Sequence, residues 1–335
     1  MAVALRGEEV LGAAKVPTPA SGLGVLDAIV NLVDDLESAG FLTDALGVGA
    51  PGLVDLEGRL RFAPNLADAD GLELRAELGS RMGLRRSGLL DRKAGGPSRP
   101  DQTMGSQGPD IVIDNDATCA TAGELALGAM RGVRDGLMVT LGSGIGGGIV
   151  VGGNLFRGAH GFAGEVGHMV IDPGGPMCAC GKRGCFETYA SGNALAQLAR
   201  EAAQAGRGAA ILERAGGSIE SLRGEHVTQA AAEGDSEAEA LLARLGWWLG
   251  LGLANLAGIF DPQMIVVGGG LAEAGEAVLG PARLAFAELI EGARFRPPIP
   301  IVAAALGEKA GAIGAAVVAR RSLLRARRAA MTGDG

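Results

Sequence analysis

Apolar side chains recur along the chain in two rhythms: short runs that suit buried strands, and 3.6-residue stripes that suit helices. MAVAL and the segment around Val10 predict a short hairpin, and Leu23 to Ser38 a helix with Leu26, Ile29, Val30 and Val33 on one face. Leu46 to Ala50 reads as a strand of small residues, closed by the turn chemistry of Ala50-Pro51-Gly52. Asp55 to Arg61 reads as a loop or hairpin, Gly71 to Met82 as a helix, and Ile111-Val112-Ile113 as a buried strand leading into a helix from Ala117. Leu137 to Thr140 and Ile149 to Val151 are strands bracketing a glycine run. Helices dominate from Ser191, interrupted by strands at Met264 to Val267 and Ile299 to Ala303, and a final helix starts near Lys309. Strand–helix alternation over the whole length predicts an α/β fold with mixed sheets.

Composition narrows the function classes. Glycine contributes 58 of 335 residues, far above its usual share, yet without a G-X-Y period and with only 14 prolines, so collagen is excluded. An apolar fraction of 47% excludes general disorder, and a net charge of −8 argues against nucleic acid as a partner. The most apolar run, Leu245 to Phe260, is 16 residues long and holds four glycines and an Asn. It is too short for a bilayer and reads as a buried helix. With no targeting segment recognised, the expectation is a cytoplasmic protein with no membrane partner. Arg85 to Asp110, rich in Gly, Pro, Ser and charge, reads as a flexible insertion. Arg320, Arg321, Arg325, Arg327 and Arg328 read as a solvated helix end, with binding of an anionic partner the alternative.

Three places could carry chemistry. Three of the four cysteines fall within eight residues, as Cys178-x-Cys180-x4-Cys185, with His168 upstream. Three thiolates and an imidazole are a ligand set for structural Zn2+, whereas a C-x-C pair closes an awkwardly small disulfide ring. Unpaired thiols beside a chance histidine are the plainer alternative, and Cys119 reads as a small core residue. The second place is the run from Gly142, Ser143 and Gly144 through Gly146 to Gly148. A strand follows it, which disfavours a dinucleotide fold and leaves either a phosphate-binding hairpin or a merely tight turn. Gly268, Gly269 and Gly270 follow a strand and open a helix, which suits either an anion site or close strand–helix packing. The third place is Asp114-Asn115-Asp116 at a strand's C-terminal end, where Asn115 or Asp116 could cap the next helix and one carboxylate could act as a base. Glu165 and Glu187 frame the cysteine cluster and suit hydrogen bonds from sugar hydroxyls.

In combination these segments resemble the ROK family (repressors, open reading frames and kinases), most of all its bacterial glucokinases. The resemblance is carried by GVGAPGLVD at 47–55, APNL at 63–66, DNDATCATAGE at 114–124 and LGSGIGGGIV at 141–150. It continues through GEVGH at 164–168, CACGKRGCFETYASG at 178–192, FDPQMIVVGGGLAEAGE at 260–276 and LGEKAGAIGAA at 306–316. It implies a two-domain actin-like ATPase (ribonuclease H-like) fold. An N-terminal α/β domain would cover 1–116, with a C-terminal helix at about 309–328 packing back on it and the insertion at 85–110. A larger α/β domain with the zinc loop would cover 117–308.

The resemblance also implies a function: ATP-dependent phosphorylation of glucose at the 6-hydroxyl, with Mg2+ accompanying ATP. Asp116 would be the catalytic base, and Gly52, Asn115, Asp116, Glu165, His168 and Glu187 would contact the sugar. Gly142, Ser143, Gly144, Gly146, Gly268, Gly269 and Gly270 would meet the nucleotide. His168, Cys178, Cys180 and Cys185 would hold zinc, and the protein would be a homodimer or homotetramer. N-acetylglucosamine, N-acetylmannosamine or fructose are alternative acceptors, and a sugar-binding, non-catalytic regulatory role is a further alternative. The family opens with a strand carrying an Asp-x-Gly-Gly-Thr-type phosphate loop, whereas MAVALRGEEVLGAAKVPTP resembles its second strand onward. The expectation is therefore an N-terminal sheet lacking an inner strand, with ATP binding impaired. The insertion enters away from the expected ligand edge and is expected to be dispensable for sugar binding.

Overall fold

The computed structural model describes residues 1–63, 68–86 and 110–332. Most of the 85–110 insertion and Pro64, Asn65 and Leu66 of the APNL motif lie outside the described residues. The chain forms two compact units. One holds Met1–Ala126, Gly158–Phe162 and the chain from Lys309 on, and the other holds Leu127–Arg157 and Ala163–Glu308.

In the first unit, β1 (Ala2–Arg6) and β2 (Glu9–Ala14) pair antiparallel, with a bulge at Ala4/Leu5. The helix α1 (Gly22–Ser38) starts where the Ser21 hydroxyl accepts from the Gly24 N–H at 3.2 Å, and its Leu26, Val30 and Val33 face the core. A second pair, β3 (Ala45–Ala50) and β6 (Asp110–Asn115), runs parallel, with Val48 and Ile113 in register. Between these strands in sequence come the hairpin β4 (Leu53–Val54) and β5 (Leu60–Phe62), then α2 (Leu74–Arg86). Asp55 closes the hairpin: Oδ1 accepts from the N–H groups of Glu57 and Arg59 at 3.1 and 2.9 Å, and Oδ2 from Arg61 Nε at 2.6 Å. The β1–β2 and β3–β6 pairs are separate two-stranded sheets. Among the described residues no strand bridges β1 and β3.

After β6 the chain enters α3 (Asp116–Leu127), which is buried on every side from Ala117 to Leu125. The last helix, α10 (Ala310–Thr332), packs on β3, β6 and β1. It also meets α3 backbone to backbone: a Cβ on Gly314 would stand 1.6 Å from the Cys119 carbonyl oxygen. Small residues in GAIGAA are what this approach requires. Cys119 itself is fully buried, the core role expected of it.

The second unit is built on a five-stranded mixed sheet, ordered β11-β10-β7-β8-β9. It comprises β7 (Gly136–Leu141), β8 (Ile145–Val151), β9 (Asn154–Leu155), β10 (Met264–Gly268) and β11 (Ile301–Ala303). β10 lies parallel to both β7 and β11, whereas β7–β8 and β8–β9 are antiparallel. Helical segments α4 (Glu187–Ala190), α5 (Gly192–Gln204), α6 (Ala209–Arg214) and α7 (Gly224–Ala232) lead to the long α8 (Ser236–Phe260) and to α9 (Glu276–Leu289). Asp235 caps α8, accepting from Ala238 N at 2.8 Å. The apolar run at 245–260 is indeed a buried helix, with Leu245, Leu249, Leu253 and Leu256 in the core. Among the described residues α8 alone is long and apolar enough to cross a membrane, and 61% of its most apolar window is buried inside the protein.

Two boundaries at the glycine candidates differ from the sequence expectation. β8 begins at Ile145 and not at Ile149, so Gly146, Gly147 and Gly148 are strand residues opposite Thr140, Val139 and Met138. Pairing with β7 makes them strand, and the close approach of 164–168 keeps position 147 a glycine: a Cβ there would meet Gly164 O at 2.8 Å. The helix expected to open at Gly270 is a 3-10 turn, Gly270–Ala274, and α9 starts only at Glu276 after Gly275. Gly275 has φ 60, a conformation that interrupts the helical run.

Candidate active site

In the first unit the site candidates gather where β3 and β6 end side by side, Ala50 opposite Asn115. The Asn115 carboxamide bridges two features: Nδ2 donates to the Gly52 carbonyl at 3.2 Å, and Oδ1 accepts from Thr118 N at 3.0 Å. Asn115 is therefore the residue that caps α3, and Asp116 is released from that duty. Asp116 Oδ1 accepts from its neighbour Ala117 N at 2.8 Å, and the carboxyl also takes a bond from the residue's own N–H. As a residue Asp116 is solvent-exposed. Desolvation by the dense protein around its carboxyl nevertheless outweighs the Ala117 bond and holds its pKa above the ordinary carboxylate value. Asp114 is buried behind it and accepts from Asn115 N at 3.0 Å.

In the second unit, Val166–His168 form one 3-10 turn between β9 and the cysteine loop. The ligand atoms of His168, Cys178, Cys180 and Cys185 all lie within 4.8 Å of one another. Cys178 Sγ stands 3.6 Å from His168 Nδ1, and Cys180 Sγ 3.6 Å from Cys185 Sγ. Zn–S bonds of ~2.3 Å and Zn–N bonds of ~2.0 Å make tetrahedral edges of about 3.5–3.8 Å, so these separations fit zinc. The second imidazole nitrogen faces outward from this cluster: His168 Nε2 is 3.8 Å from Glu165 Oε2. Glu187 Oε1 lies 3.4 Å from His168 Nδ1 and 3.0 Å from Cys178 Sγ. Burial, then the bond to Glu187, push the Cys178 thiol up, and burial with the Cys180 contact does the same for Cys185. For Cys180 burial is outweighed by the Lys182 backbone N–H and the neighbouring sulfurs, and its thiol is lowered.

The loop that carries the thiols is buttressed by residues that the sequence did not single out. Tyr189 Oη donates to Asp172 Oδ2 at 2.6 Å, and Lys182 Nζ donates to the His168 carbonyl at 2.8 Å. The Tyr189 ring packs on Trp248 at a centroid distance of 4.2 Å, and Trp248 packs edge-on against Trp247 at 5.0 Å. Tyr189 is the only tyrosine of the chain, a signal of sorts, but nothing in the sequence names its partner.

The glycine candidates split by role. Only Gly142, Ser143 and Gly144 form the turn between β7 and β8, with Gly142 N bonded to Gly144 O at 3.0 Å. α5 begins directly behind this turn, its Gly192 and Asn193 N–H groups donating to the carbonyls of Gly142 and Ser143 at 2.8 and 3.3 Å. Gly268 ends β10 opposite Thr140, so the 268–270 turn lies beside the β7–β8 turn at the C-terminal edge of parallel strands. Gly269 has φ 85, and a Cβ there would stand 2.4 Å from Leu141 O. Both glycine turns thus occupy the edge where α/β folds bind ligands.

This architecture and these motifs match known proteins. The ROK family model matches residues 106–322. The glucokinase of Streptomyces coelicolor is 37% identical over 314 residues, covering 93% of this chain and 90% of that protein. The glucokinase of Thermotoga maritima is 34% identical over 292 residues, covering 87% and 82%. The crystal structure of a ROK family glucokinase from Streptomyces griseus in complex with glucose and AMPPNP superposes with a TM-score of 0.81 at 38% identity, covering 94% of this chain and 93% of that one. Xylose repressors are related as well, over about half of their own length. The chain belongs to the ROK family, with the actin-like ATPase fold of its sugar kinases. Within the family it stands with those kinases, the glucokinases above all.

Proposed function

We propose that the protein is an ATP-dependent glucokinase, transferring the γ-phosphoryl group of ATP to the 6-hydroxyl of glucose. The observation that carries this reading is the set Glu165, His168 and Glu187 in the second unit, polar groups fixed around a cluster that fits zinc. Relatives called glucokinases share the chain over nine-tenths of its length.

Each residue has a role that its geometry supports. Asp116, capping nothing beyond its own neighbour, accepts the proton of the sugar 6-hydroxyl as that oxygen attacks the γ-phosphorus and ADP departs. A pKa above the ordinary carboxylate value suits a base that must hold the proton through the transfer. Asn115, held by Gly52 and Thr118, presents the sugar with a fixed amide. His168 Nε2, Glu165 and Glu187 take sugar hydroxyls. His168, Cys178, Cys180 and Cys185 hold zinc, which supplies rigidity to this wall and no chemistry of its own. The 142–144 and 268–270 turns receive the nucleotide, Gly146 serving as a strand residue behind the first of them. Mg2+ bound with ATP neutralises charge on the phosphates.

The family resemblance supports a homodimer or homotetramer in the cytoplasm, delivering a sugar phosphate to glycolysis. The deciding experiment is a coupled assay with ATP against glucose, N-acetylglucosamine, N-acetylmannosamine and fructose. Glucose is expected to give the highest kcat/KM. A different hexose ahead of it overturns the substrate assignment. Glucose binding without turnover of any hexose overturns the enzyme assignment.

A further inference from the structure

One residue of the thiol loop reaches three of the four candidate ligand residues, through its backbone and its side chain together. The Lys182 carbonyl accepts from Cys178 N at 2.8 Å, and the Lys182 N–H donates to the Cys180 sulfur. The side chain turns back across the loop, and Nζ donates to the His168 carbonyl at 2.8 Å. The Cys185 thiol donates to that same carbonyl oxygen, at 3.7 Å. Arg183, the next cation along the chain, is turned instead to the Gly175 carbonyl at 3.4 Å.

These contacts do not weigh alike with and without zinc. A zinc-bound cysteine is a thiolate, so as a ligand Cys185 gives up the proton that it offers to the His168 carbonyl. Its sulfur then faces that oxygen as one negative atom against another. The Lys182 ammonium is the side-chain donor left to the oxygen among the bonds described. The Lys182 N–H, for its part, bonds more strongly to a thiolate than to a thiol. Three thiolates, a neutral imidazole and Zn2+ carry one net negative charge, and the Glu165 and Glu187 carboxylates stand beside His168 as well. Lys182 brings the opposite charge. We propose that Lys182 is a positioning residue for the metal: its ammonium holds the His168 carbonyl and balances the charge of the zinc-loaded cluster, so that it contributes more to the zinc-loaded protein than to the zinc-free one. This inference rests on the zinc assignment of the proposed function and on none of its sugar or nucleotide assignments.

The test is the zinc affinity of the full chain, measured by chelator competition for wild type, Lys182→Met and Lys182→Arg, with the melting temperatures of the zinc-free proteins taken in parallel. Removing a partner of a metal ligand commonly costs about 10–100-fold in affinity, and this ammonium is exposed, so Lys182→Met is expected to bind zinc roughly tenfold more weakly. Lys182→Arg keeps the charge and a donor and should recover most of that loss. The zinc-free proteins should melt alike, because there the Cys185 thiol still serves the carbonyl. Equal zinc affinity in wild type and Lys182→Met overturns the proposal, as does an arginine variant no better than the methionine one. A zinc-free Lys182→Met protein that melts well below zinc-free wild type makes Lys182 a prop of the loop in either state, and overturns it too. If the zinc-free chains do not fold, recovery of zinc affinity by arginine decides alone. Should wild type bind no zinc, the zinc assignment itself falls, and this role of Lys182 with it.

Discussion

The Tyr189 hydroxyl donates to Asp172 Oδ2 at 2.6 Å, tying the start of the α4–α5 region to the chain that enters the thiol loop. Burial, and then the Asp172 carboxylate, push the phenol up to about 12, so it remains a donor at every pH where the protein would work. Tyr189→Phe removes this tie while keeping the ring on Trp248. A hydrogen bond to a charged group contributes roughly 1.5–3 kcal/mol, so zinc affinity should fall about tenfold or more. Competition with a chromogenic chelator measures it, and unchanged zinc retention would show that the loop does not need the buttress.

Asp116→Asn keeps the size of the side chain and an acceptor for Ala117 N, but removes the base. Turnover should drop about 10²–10⁴-fold, the usual worth of a general base. The glucose dissociation constant should change by no more than a few-fold. Steady-state kinetics beside calorimetric sugar binding separates the two, and near-normal turnover would remove Asp116 from the base role.

The pH profile follows from the sign of the Asp116 shift. A base acts when deprotonated, so kcat/KM falls as pH drops through its pKa, and desolvation has raised that pKa. The acid limb should therefore lie above the ordinary carboxylate value of about 4. A limb at or below that value would contradict the desolvated environment assigned to Asp116.

Cys180→Ser removes one of four ligand atoms from a cluster only 4.8 Å across. Zinc content and glucose affinity should fall together, because His168 belongs both to the metal set and to the proposed sugar wall. Metal analysis and sugar binding on the same preparation provide the check. Lost zinc with undiminished glucose affinity would separate the cluster from the sugar site.

Asp55 gives a stability prediction from the other direction. Burial works against its ionised form, but the N–H groups of Arg59 and Glu57 and the Arg61 guanidinium outweigh it and lower its pKa. A depressed carboxylate pKa contributes stability that is present above the unfolded value, about 4, and is lost as pH falls through the lower folded value. Asp55→Ala should cost roughly 2 kcal/mol at neutral pH and flatten the acid side of the stability profile, as read by urea unfolding. An unchanged midpoint would mean that the β4–β5 hairpin closes without it.

Most of the fold was legible because its elements are announced locally. Leu26, Val30 and Val33 mark the face of α1, Ser21 its start, and the apolar strands 111–113 and 264–267 sit between turn signals. What stayed hidden depends on partners distant in sequence. The glycines at 146–148 looked like loop residues, and they are strand residues paired with β7, small at 147 because the 164–166 segment lies against it. The 3-10 turn after Gly270 replaces a helix that the sequence pattern alone would extend backward. At the site, the spacing of Cys178, Cys180 and Cys185 with His168 sufficed to foresee the cluster, since three thiols and an imidazole close together are written in residue types. The capping of α3 by Asn115 rather than Asp116, and the lean of Glu187 on a bare Gly144, are matters of side-chain direction that no spacing encodes.

The stack of Tyr189, Trp248 and Trp247 has a practical corollary. These three rings are every tyrosine and tryptophan in the chain, and all belong to the second unit. Ultraviolet emission from this protein is thus a local instrument, sensitive at the doorstep of the thiol loop. The first unit, with Asp116 in it, is optically dark, and anything that loosens it alone will pass unseen by fluorescence.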